Sequence, residues 1–84
     1  MLKLAYFSWV REAIGTGEEL VDVPPDIVTV EALIDWLVTT DDGHARAFAD
    51  RGRLRAAVDQ VFVGLDASIE GAREVAIFPP VTGG

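Results

Sequence analysis

Cysteine is missing from this chain of 84 residues, and histidine and methionine occur only once each. Without a thiol, the chain cannot form a disulfide framework, a thiolate metal site or a cysteine nucleophile. Basic residues are also few, with 7 against 14 acidic residues and a formal net charge of −7. Because a surface of this sign repels phosphate backbones, we expect no binding to nucleic acid.

Long apolar runs are absent as well, although half of the residues are apolar. No stretch approaches the roughly 20 apolar residues that span a bilayer. The first residues also lack the basic segment followed by an apolar one that a targeting signal shows. We therefore expect a cytoplasmic protein with no membrane contact, in which one domain buries about 60–68% of the surface of its unfolded chain.

Alternation of apolar residues with other residues predicts the strands. It occurs in five segments, which are residues 2–7, 19–23, 54–58, 61–65 and 74–78. The first two segments are close in the chain, and we expect them to pair as neighbours. Asp59-Gln60 has the length of a two-residue turn, so the third and fourth segments form a predicted hairpin.

Apolar residues at helical spacing predict the main helix, which covers about residues 30–38. Thr29 is placed to accept a backbone N–H at the amino terminus of this helix. Two shorter helices are also predicted. The first covers residues 9–14 with Ser8 as its capping residue, and the second covers residues 45–51.

The order of these elements predicts an α+β fold. One amphipathic helix cannot bury its apolar stripe alone, and a sheet needs cover on one face. We expect a mixed sheet of four to five strands with one main helix packed across one face, in a single domain of residues 1–80. Pro79 and Pro80 cannot continue a central strand. Residues 81–84 are therefore predicted to form a flexible tail that reaches at most about 13–14 Å.

The chain ends in Phe78-Pro79-Pro80-Val81-Thr82-Gly83-Gly84, a segment without a charged side chain. Glycine lacks a Cβ, so a narrow slot in another protein can enclose Gly83 and reach the carboxylate of Gly84. The two prolines stiffen the base of the tail and lower the entropy lost on binding. We predict that Gly84 is the reacting residue. The predicted tail-binding residues are Pro79, Pro80, Val81, Thr82 and Gly83.

The alternation also assigns strand residues to the two faces of the sheet. The face opposite the helix carries Phe7, Phe62 and Phe78, with alanine and glycine residues between them. Exposed phenylalanines among small residues are typical of a partner surface, and we predict that these three residues form one. The alternative is that a loop or the short second helix covers them.

His44 follows Asp41-Asp42-Gly43 and is the one residue that could suggest a metal ligand. A single histidine beside aspartates is more typical of a helix start than of a metal centre. The sequence therefore predicts no metal site.

Three parts of the chain resemble a known family. They are residues 2–7 followed by Val10-Arg11-Glu12, residues 54–60 and, above all, residues 74–84. The whole chain is similar to the ubiquitin-like β-grasp proteins. More narrowly, Pro-Pro-Val-Thr-Gly-Gly after an apolar strand resembles the small, sulfur-carrier subunits of molybdopterin synthase. The resemblance implies a β-grasp fold and a protein that is not catalytic alone.

The resemblance also implies a chemistry for Gly84. An ATP-dependent, ubiquitin-activating-like adenylyltransferase would adenylate its carboxylate, and a sulfur donor protein would convert it to a thiocarboxylate. The large subunit of molybdopterin synthase would then receive the tail in a heterotetramer. There the sulfur would pass to a cyclic pterin phosphate, in molybdenum cofactor biosynthesis. ATP would be used by the activating partner, and this chain would bind no cofactor.

Three other functions stay open at the level of sequence. The tail chemistry would be the same in a sulfur carrier for thiamin, cysteine or tRNA thiolation. A ubiquitin-like protein modifier would instead join Gly84 to lysines of its targets. In an interaction module, the two glycines would be incidental, and deleting them would leave function intact.

Overall fold

A mixed five-stranded sheet forms the centre of the molecule in the computed structural model, which describes residues 1–80. The strands are β1 (Leu2–Tyr6), β2 (Glu18–Val21), β3 (Arg55–Val58), β4 (Val61–Val63) and β5 (Glu74–Phe78). Their order across the sheet is β2-β1-β5-β3-β4. β1 and β5 are parallel, and the other neighbours are antiparallel. The first two strands therefore pair as the sequence predicts.

Three helices lie between the strands along the chain. α1 (Ser8–Ile14) connects β1 to β2, and α2 (Val30–Leu37) and α3 (Asp42–Ala47) lie between β2 and β3, followed by a 3₁₀ turn at Arg51–Arg53. The prediction for α2 is confirmed to within one residue, because Val38 is its carboxy-terminal cap. Thr29 Oγ1 accepts the backbone N–H of Ala32 at 3.1 Å, which satisfies one of the free donors of the first turn. No helix within residues 1–80 has the length and apolarity to cross a membrane.

One apolar core lies between the sheet and the helices. Val10 of α1, the apolar stripe of α2 and Phe48 after α3 all belong to it, so the three helices contribute to the same core. The sheet contributes alternate residues of its central strands. The fully buried side chains, each stabilising by roughly 1.5–3 kcal/mol, are Leu4, Tyr6, Val10, Val30, Leu33, Ile34, Leu37, Phe48, Leu54, Val75 and Ile77.

The β3–β4 hairpin is confirmed, and its turn has the backbone that a tight hairpin needs. Asp59 and Gln60 have φ of 48° and 71°, so both central residues are left-handed, as in a type I′ turn. β4 ends at Val63, two residues before the predicted end, and β2 ends at Val21 instead of residue 23. Both are edge strands, with a partner on one side only.

Two helix predictions are wrong in detail. Ser8 is not the cap of α1: Phe7 occupies the cap position with an extended backbone, no side chain caps the helix, and Ser8 itself has φ of 56°. α3 begins at Asp42 instead of residue 45 and ends at Ala47 instead of residue 51. It starts earlier because Asp41 Oδ1 accepts the backbone N–H of His44 at 2.9 Å and caps the helix.

Candidate functional site

The predicted tail follows the central strand of the sheet. β5 lies between β1 and β3, and both ladders hold it, with Tyr6 opposite Ile77 on one side and Arg55 opposite Phe78 on the other. Pro79 and Pro80 come next and are half-buried. A proline has no backbone N–H to donate, so the ladder cannot extend through them. The structure thus fixes the place where the chain leaves the sheet. The predicted site residues Val81, Thr82, Gly83 and Gly84 lie outside the described residues.

A row of alanines forms the floor of the sheet face opposite the helices. Ala5 pairs with Ala76, and Ala76 pairs with Ala57, so the three residues are level across β1, β5 and β3. They form a separate apolar cluster, against which Phe78 packs. An alanine methyl group rises little above the backbone of the sheet. Another protein can therefore approach the sheet closely at this row of alanines.

The three predicted interface phenylalanines lie together at one end of this floor. The ring centroid of Phe78 is 6.5 Å from that of Phe7 and 5.7 Å from that of Phe62. Phe7 is 52% exposed and Phe62 is 76% exposed, so nothing in the described part of the chain covers this face. We call these three residues the phenylalanine patch.

The phenylalanine patch and the alanine floor line one open concavity of about 600 Å³. Its lining residues are Phe7, Ser8, Ala57, Gln60, Phe62, Glu74, Ala76, Phe78 and Pro79. The presence of Pro79 shows that the concavity reaches the base of the tail. An apolar surface and the exit of the tail therefore lie side by side, and a partner that receives the tail can cover both.

Charged residues lie at the other end of the same face. Lys3 Nζ is 3.5 Å from Glu18 Oε1 and 3.5 Å from Glu74 Oε2. These groups are partly exposed, and such ion pairs contribute little to stability. Asp59 Oδ1 accepts the backbone N–H groups of Arg73 and Glu74 at 2.9 and 3.0 Å, which ties the hairpin turn to the start of β5.

A buried polar cluster around His44 is a feature that the sequence did not predict. His44 is 5% exposed, and its Nε2–H donates to Glu19 Oε2 at 2.7 Å while its Nδ1–H donates to Asp41 Oδ1 at 2.7 Å. Tyr6 Oη–H donates to the same Glu19 oxygen at 2.7 Å. Two carboxylate acceptors on the two ring nitrogens require the doubly protonated imidazolium.

The pKa values in this cluster follow from its geometry. Burial acts to lower the pKa of His44, but the hydrogen bonds and charges of Glu19 and Asp41 outweigh it, and the pKa is raised. Hydrogen bonds from the backbone and ring of His44 lower the pKa of Asp41. Burial, followed by the hydrogen bond to Glu19, raises the pKa of Tyr6 far above its usual value.

The side chains of the His44 cluster are arranged as a hydrogen-bonded group. The carboxylates of Glu19 and Asp41 bond to opposite nitrogens of the ring, so the three side chains do not converge on one point. Across residues 1–80, no group of three His, Cys, Asp or Glu side chains could hold a metal ion. The feature of the sequence that indicates a buried polar cluster is Tyr6, because a tyrosine on the core face of a strand needs a partner for its hydroxyl.

The sheet order, the helices on one face and the central strand that ends at the tail define a ubiquitin-like β-grasp protein, as the sequence predicts. The chain belongs to the ThiS family, whose model matches residues 4–84. It is 44% identical over 84 residues to the molybdopterin synthase sulfur carrier subunit of Escherichia coli, with all of both chains covered. The family suggested by the residues is thereby confirmed.

Two further relatives agree with this assignment. The molybdopterin synthase sulfur carrier subunit of Haemophilus influenzae is 34% identical over 84 residues, again with both chains fully covered. Among solved structures, small archaeal modifier protein 1 of Haloferax volcanii superimposes with a TM-score of 0.70 at 28% identity, over 95% of this chain and 97% of that one. The relatives thus share the fold over almost their whole length.

Proposed function

We propose that this protein is the sulfur-carrier subunit of molybdopterin synthase and is not catalytic alone. The observation that carries the proposal is the position of the tail. Pro79-Pro80-Val81-Thr82-Gly83-Gly84 directly follows the central strand of a ThiS-family fold. Full-length identities of 44% and 34% to two proteins with that name support the same function.

The proposed reaction begins at the Gly84 carboxylate, which is a poor acyl donor by itself. Its oxygen attacks the α-phosphorus of ATP on an activating adenylyltransferase, pyrophosphate leaves, and an acyl adenylate forms. Hydrosulfide (HS⁻), supplied by a sulfur donor protein, then attacks the carbonyl carbon, AMP leaves with the C–O bond electrons, and loss of the sulfur-bound proton gives the thiocarboxylate. The large synthase subunit takes up the tail, and the sulfur passes to a cyclic pterin phosphate.

The partners supply the acids, bases and phosphate ligands of these steps. This division of roles suits a chain that has no cysteine and one histidine, since that histidine is buried in a structural cluster. ATP belongs to the activating partner in this scheme, and the chain itself needs no cofactor.

The phenylalanine patch has a docking role in this proposal. Phe7 and Phe78 lie at the end of the sheet where Pro79 leaves it, and Phe62 packs near Phe78 from the edge strand β4. A partner that encloses Gly83 and Gly84 must press against this end of the molecule, and burial of aromatic rings there supplies binding energy. Pro79 and Pro80 have a fixed φ and stiffen the base of the tail, so less entropy is lost on binding.

One alternative function has support from a specific likeness. The Haloferax volcanii protein that shares the fold at 28% identity is called a modifier protein. A modifier would join Gly84 to lysine side chains through isopeptide bonds. It would produce a ladder of higher-mass conjugates in cells, which a sulfur carrier would not produce.

The test of the proposed acceptor is a reconstitution with the large synthase subunit of the same organism. The thiocarboxylated chain is mixed with that subunit and the cyclic pterin phosphate, and the pterin product is followed by mass spectrometry. We expect oxygen-to-sulfur replacement in the pterin, with loss of the thiocarboxylate from the carrier. The variant lacking Gly84 is the control. If the thiocarboxylate persists and the pterin stays unchanged, the acceptor belongs to another thiolation pathway.

A further inference from the structure

Two segments flank the point where the tail leaves the sheet. β5 has the parallel strand β1 on one side and the antiparallel strand β3 on the other. The residues after β1, which include Trp9, and those before β3, which include Arg53, therefore lie on either side of Pro79. Phe7 of the phenylalanine patch lies in the first segment, but Trp9 and Arg53 are not members of the patch.

Arg53 and Trp9 contact each other across this point. The guanidinium carbon of Arg53 lies 5.0 Å from the centroid of the Trp9 ring, within the range of a cation–π interaction. Trp9 is half-buried and packs against the core, whereas Arg53 is exposed. The ring thus holds the guanidinium in place and leaves its N–H groups available.

Arg55 is fixed on the open face beside the phenylalanine patch. Its Cα is opposite that of Phe78, and its Nη1 donates to the backbone carbonyls of Gly52 and Leu54 at 3.1 and 2.8 Å. The same side chain lines a small concavity together with Phe62 and Phe78. A guanidinium has five N–H donors, so Arg55 keeps donors for a partner.

The positive charge of these two side chains is not neutralised nearby. Within residues 1–80, the ion pairs involve Lys3, His44 and Arg51, and neither Arg53 nor Arg55 has a carboxylate within 4.0 Å. Asp50 accepts the backbone N–H of Gly52. A chain with a net charge of −7 therefore presents, at the base of its tail, two cations that have no ion pair among residues 1–80, while Glu74 lies at the opposite end of the sheet.

We propose that Arg53, held by Trp9, and Arg55 form a cationic docking element that binds carboxylates around the mouth of the pocket that receives the tail. This inference rests on the proposed function. In the proposed function, four residues with a maximum span of about 13–14 Å separate Pro80 from the reacting carboxylate. The groups that meet Arg53 and Arg55 then belong to the rim of the partner protein and not to the nucleotide at Gly84.

A charged rim of this kind acts mainly on encounter and orientation. Complementary charges raise the association rate and make it depend on salt, because exposed charges are screened over roughly 10 Å at 0.1 M ionic strength. A molecule that is acidic overall and basic at its tail would approach an acidic pocket mouth with the tail first. Arg53 and Arg55 therefore affect the rate at which the carrier associates with its partner, and they contribute little to its free energy of unfolding.

The test compares two double charge reversals with the same change of net charge. Arg53→Glu/Arg55→Glu alters the docking element, and Arg46→Glu/Arg73→Glu alters exposed arginines elsewhere. The activating enzyme of the same organism is assayed with each carrier for kcat/KM of thiocarboxylate formation, and the Kd with the large synthase subunit is measured. The kcat/KM and the Kd are each measured at low and at high salt concentration. Thermal unfolding checks that both variants fold.

For the docking-element variant we expect a loss of at least about tenfold in kcat/KM for the carrier or in affinity for the large subunit. The loss shrinks at high salt, and the KM for ATP does not change. The control variant stays within about threefold of the wild type. Trp9→Ala produces a smaller loss than Arg53→Glu, because it frees the guanidinium without removing it. Should the double reversal unfold, Arg53→Gln/Arg55→Gln replaces it.

Equal behaviour of the two double variants with both partners would overturn the inference. A raised KM for ATP with an unchanged KM for the carrier would overturn it too, because the guanidinium groups would then act on the nucleotide. These outcomes differ from failure of the proposed function. In that case the wild-type chain itself gains no thiocarboxylate.

Discussion

His44 illustrates what a single residue contributes to this molecule. Its ring joins Glu19 on the edge strand β2 to Asp41 at the start of α3, and Glu19 also accepts from Tyr6 on β1. One protonated imidazole thus connects two strands and a helix. The bond to Glu19 has a charged and largely covered partner, and such hydrogen bonds contribute roughly 1.5–3 kcal/mol. Asp41 is exposed, so its bond contributes less.

The first prediction concerns the pH dependence of this cluster. The folded-state pKa of His44 is raised above its unfolded value of about 6.5. Its stabilising effect is therefore complete below that value and is lost as the pH rises through the folded pKa. We expect the wild type to exceed His44→Ala by about 1–3 kcal/mol in free energy of unfolding at pH 6, and by less at pH 9.

Urea unfolding of both proteins between pH 6 and pH 9 measures this difference. The lowered pKa of Asp41 does not interfere, because its effect is lost only as the pH falls through the acidic range. A difference that stays constant or grows with rising pH would contradict the assignment of a protonated His44. An NMR titration of the ring gives an independent value.

At the scale of elements, the β3–β4 hairpin combines a tight turn with a tie to β5. Gln60 has φ of 71°, a left-handed backbone that costs a residue with a Cβ roughly 1–2 kcal/mol. Asp59 shares the left-handed backbone, but its carboxylate accepts two backbone N–H groups at the start of β5. Replacement of Asp59 therefore removes two hydrogen bonds to β5, whereas replacement of Gln60 leaves them in place.

The second prediction follows from that difference. Gln60→Gly should raise the free energy of unfolding by about 0.5–1 kcal/mol, because glycine adopts a positive φ without strain. Gln60→Ala keeps the backbone cost and is the control, with little change expected. Chemical denaturation of the three proteins measures the effect. Destabilisation by Gln60→Gly would show that the Gln60 side chain matters more than its backbone.

An element could be predicted from the sequence when the residue pattern that specifies it lies within one short segment. The strands and α2 could be predicted because the alternation and the helical spacing lie within single segments. The start of α3 was missed because the spacing of apolar residues does not show that Asp41 caps the helix. The His44 cluster could not be predicted, because it depends on β1, β2 and α3 meeting in space. The residues of the tail predict its insertion into a partner, but its sulfur chemistry is implied only by the likeness to a family.

At the scale of the whole molecule, the two faces of the sheet have different roles. One face and the helices bury the core, and the other face is open over the described residues. The side chains of the open face rise little above the backbone at Ala5, Ala57 and Ala76. The phenylalanine patch lies beside the start of the tail. The fold therefore places an apolar surface beside the start of the tail, where one partner can contact both.

The third prediction tests the phenylalanine patch with neighbouring residues of β4. Phe62 is 76% exposed on the open face, and Val61 is 63% exposed on the opposite face. Phe62→Ala should weaken binding to the large synthase subunit by about tenfold, as a hot-spot aromatic does. Its free energy of unfolding should change by less than about 0.5 kcal/mol, because an exposed side chain contributes little.

Val61→Ala is the matched control, since it removes exposed apolar surface from the same strand. Isothermal titration calorimetry measures the affinities, and thermal unfolding measures the stabilities. Equal affinities of the two variants for the large subunit would exclude the phenylalanine patch as the docking surface.

The most direct test of the central claim is the intact mass of the chain after incubation with its activating enzyme, ATP and a sulfide source. We expect a mass increase equal to replacement of one oxygen by sulfur, which requires ATP and is absent when Gly84 is deleted. An unchanged mass, with an activating enzyme that modifies another carrier under the same conditions, would contradict the assignment of this protein as a sulfur carrier.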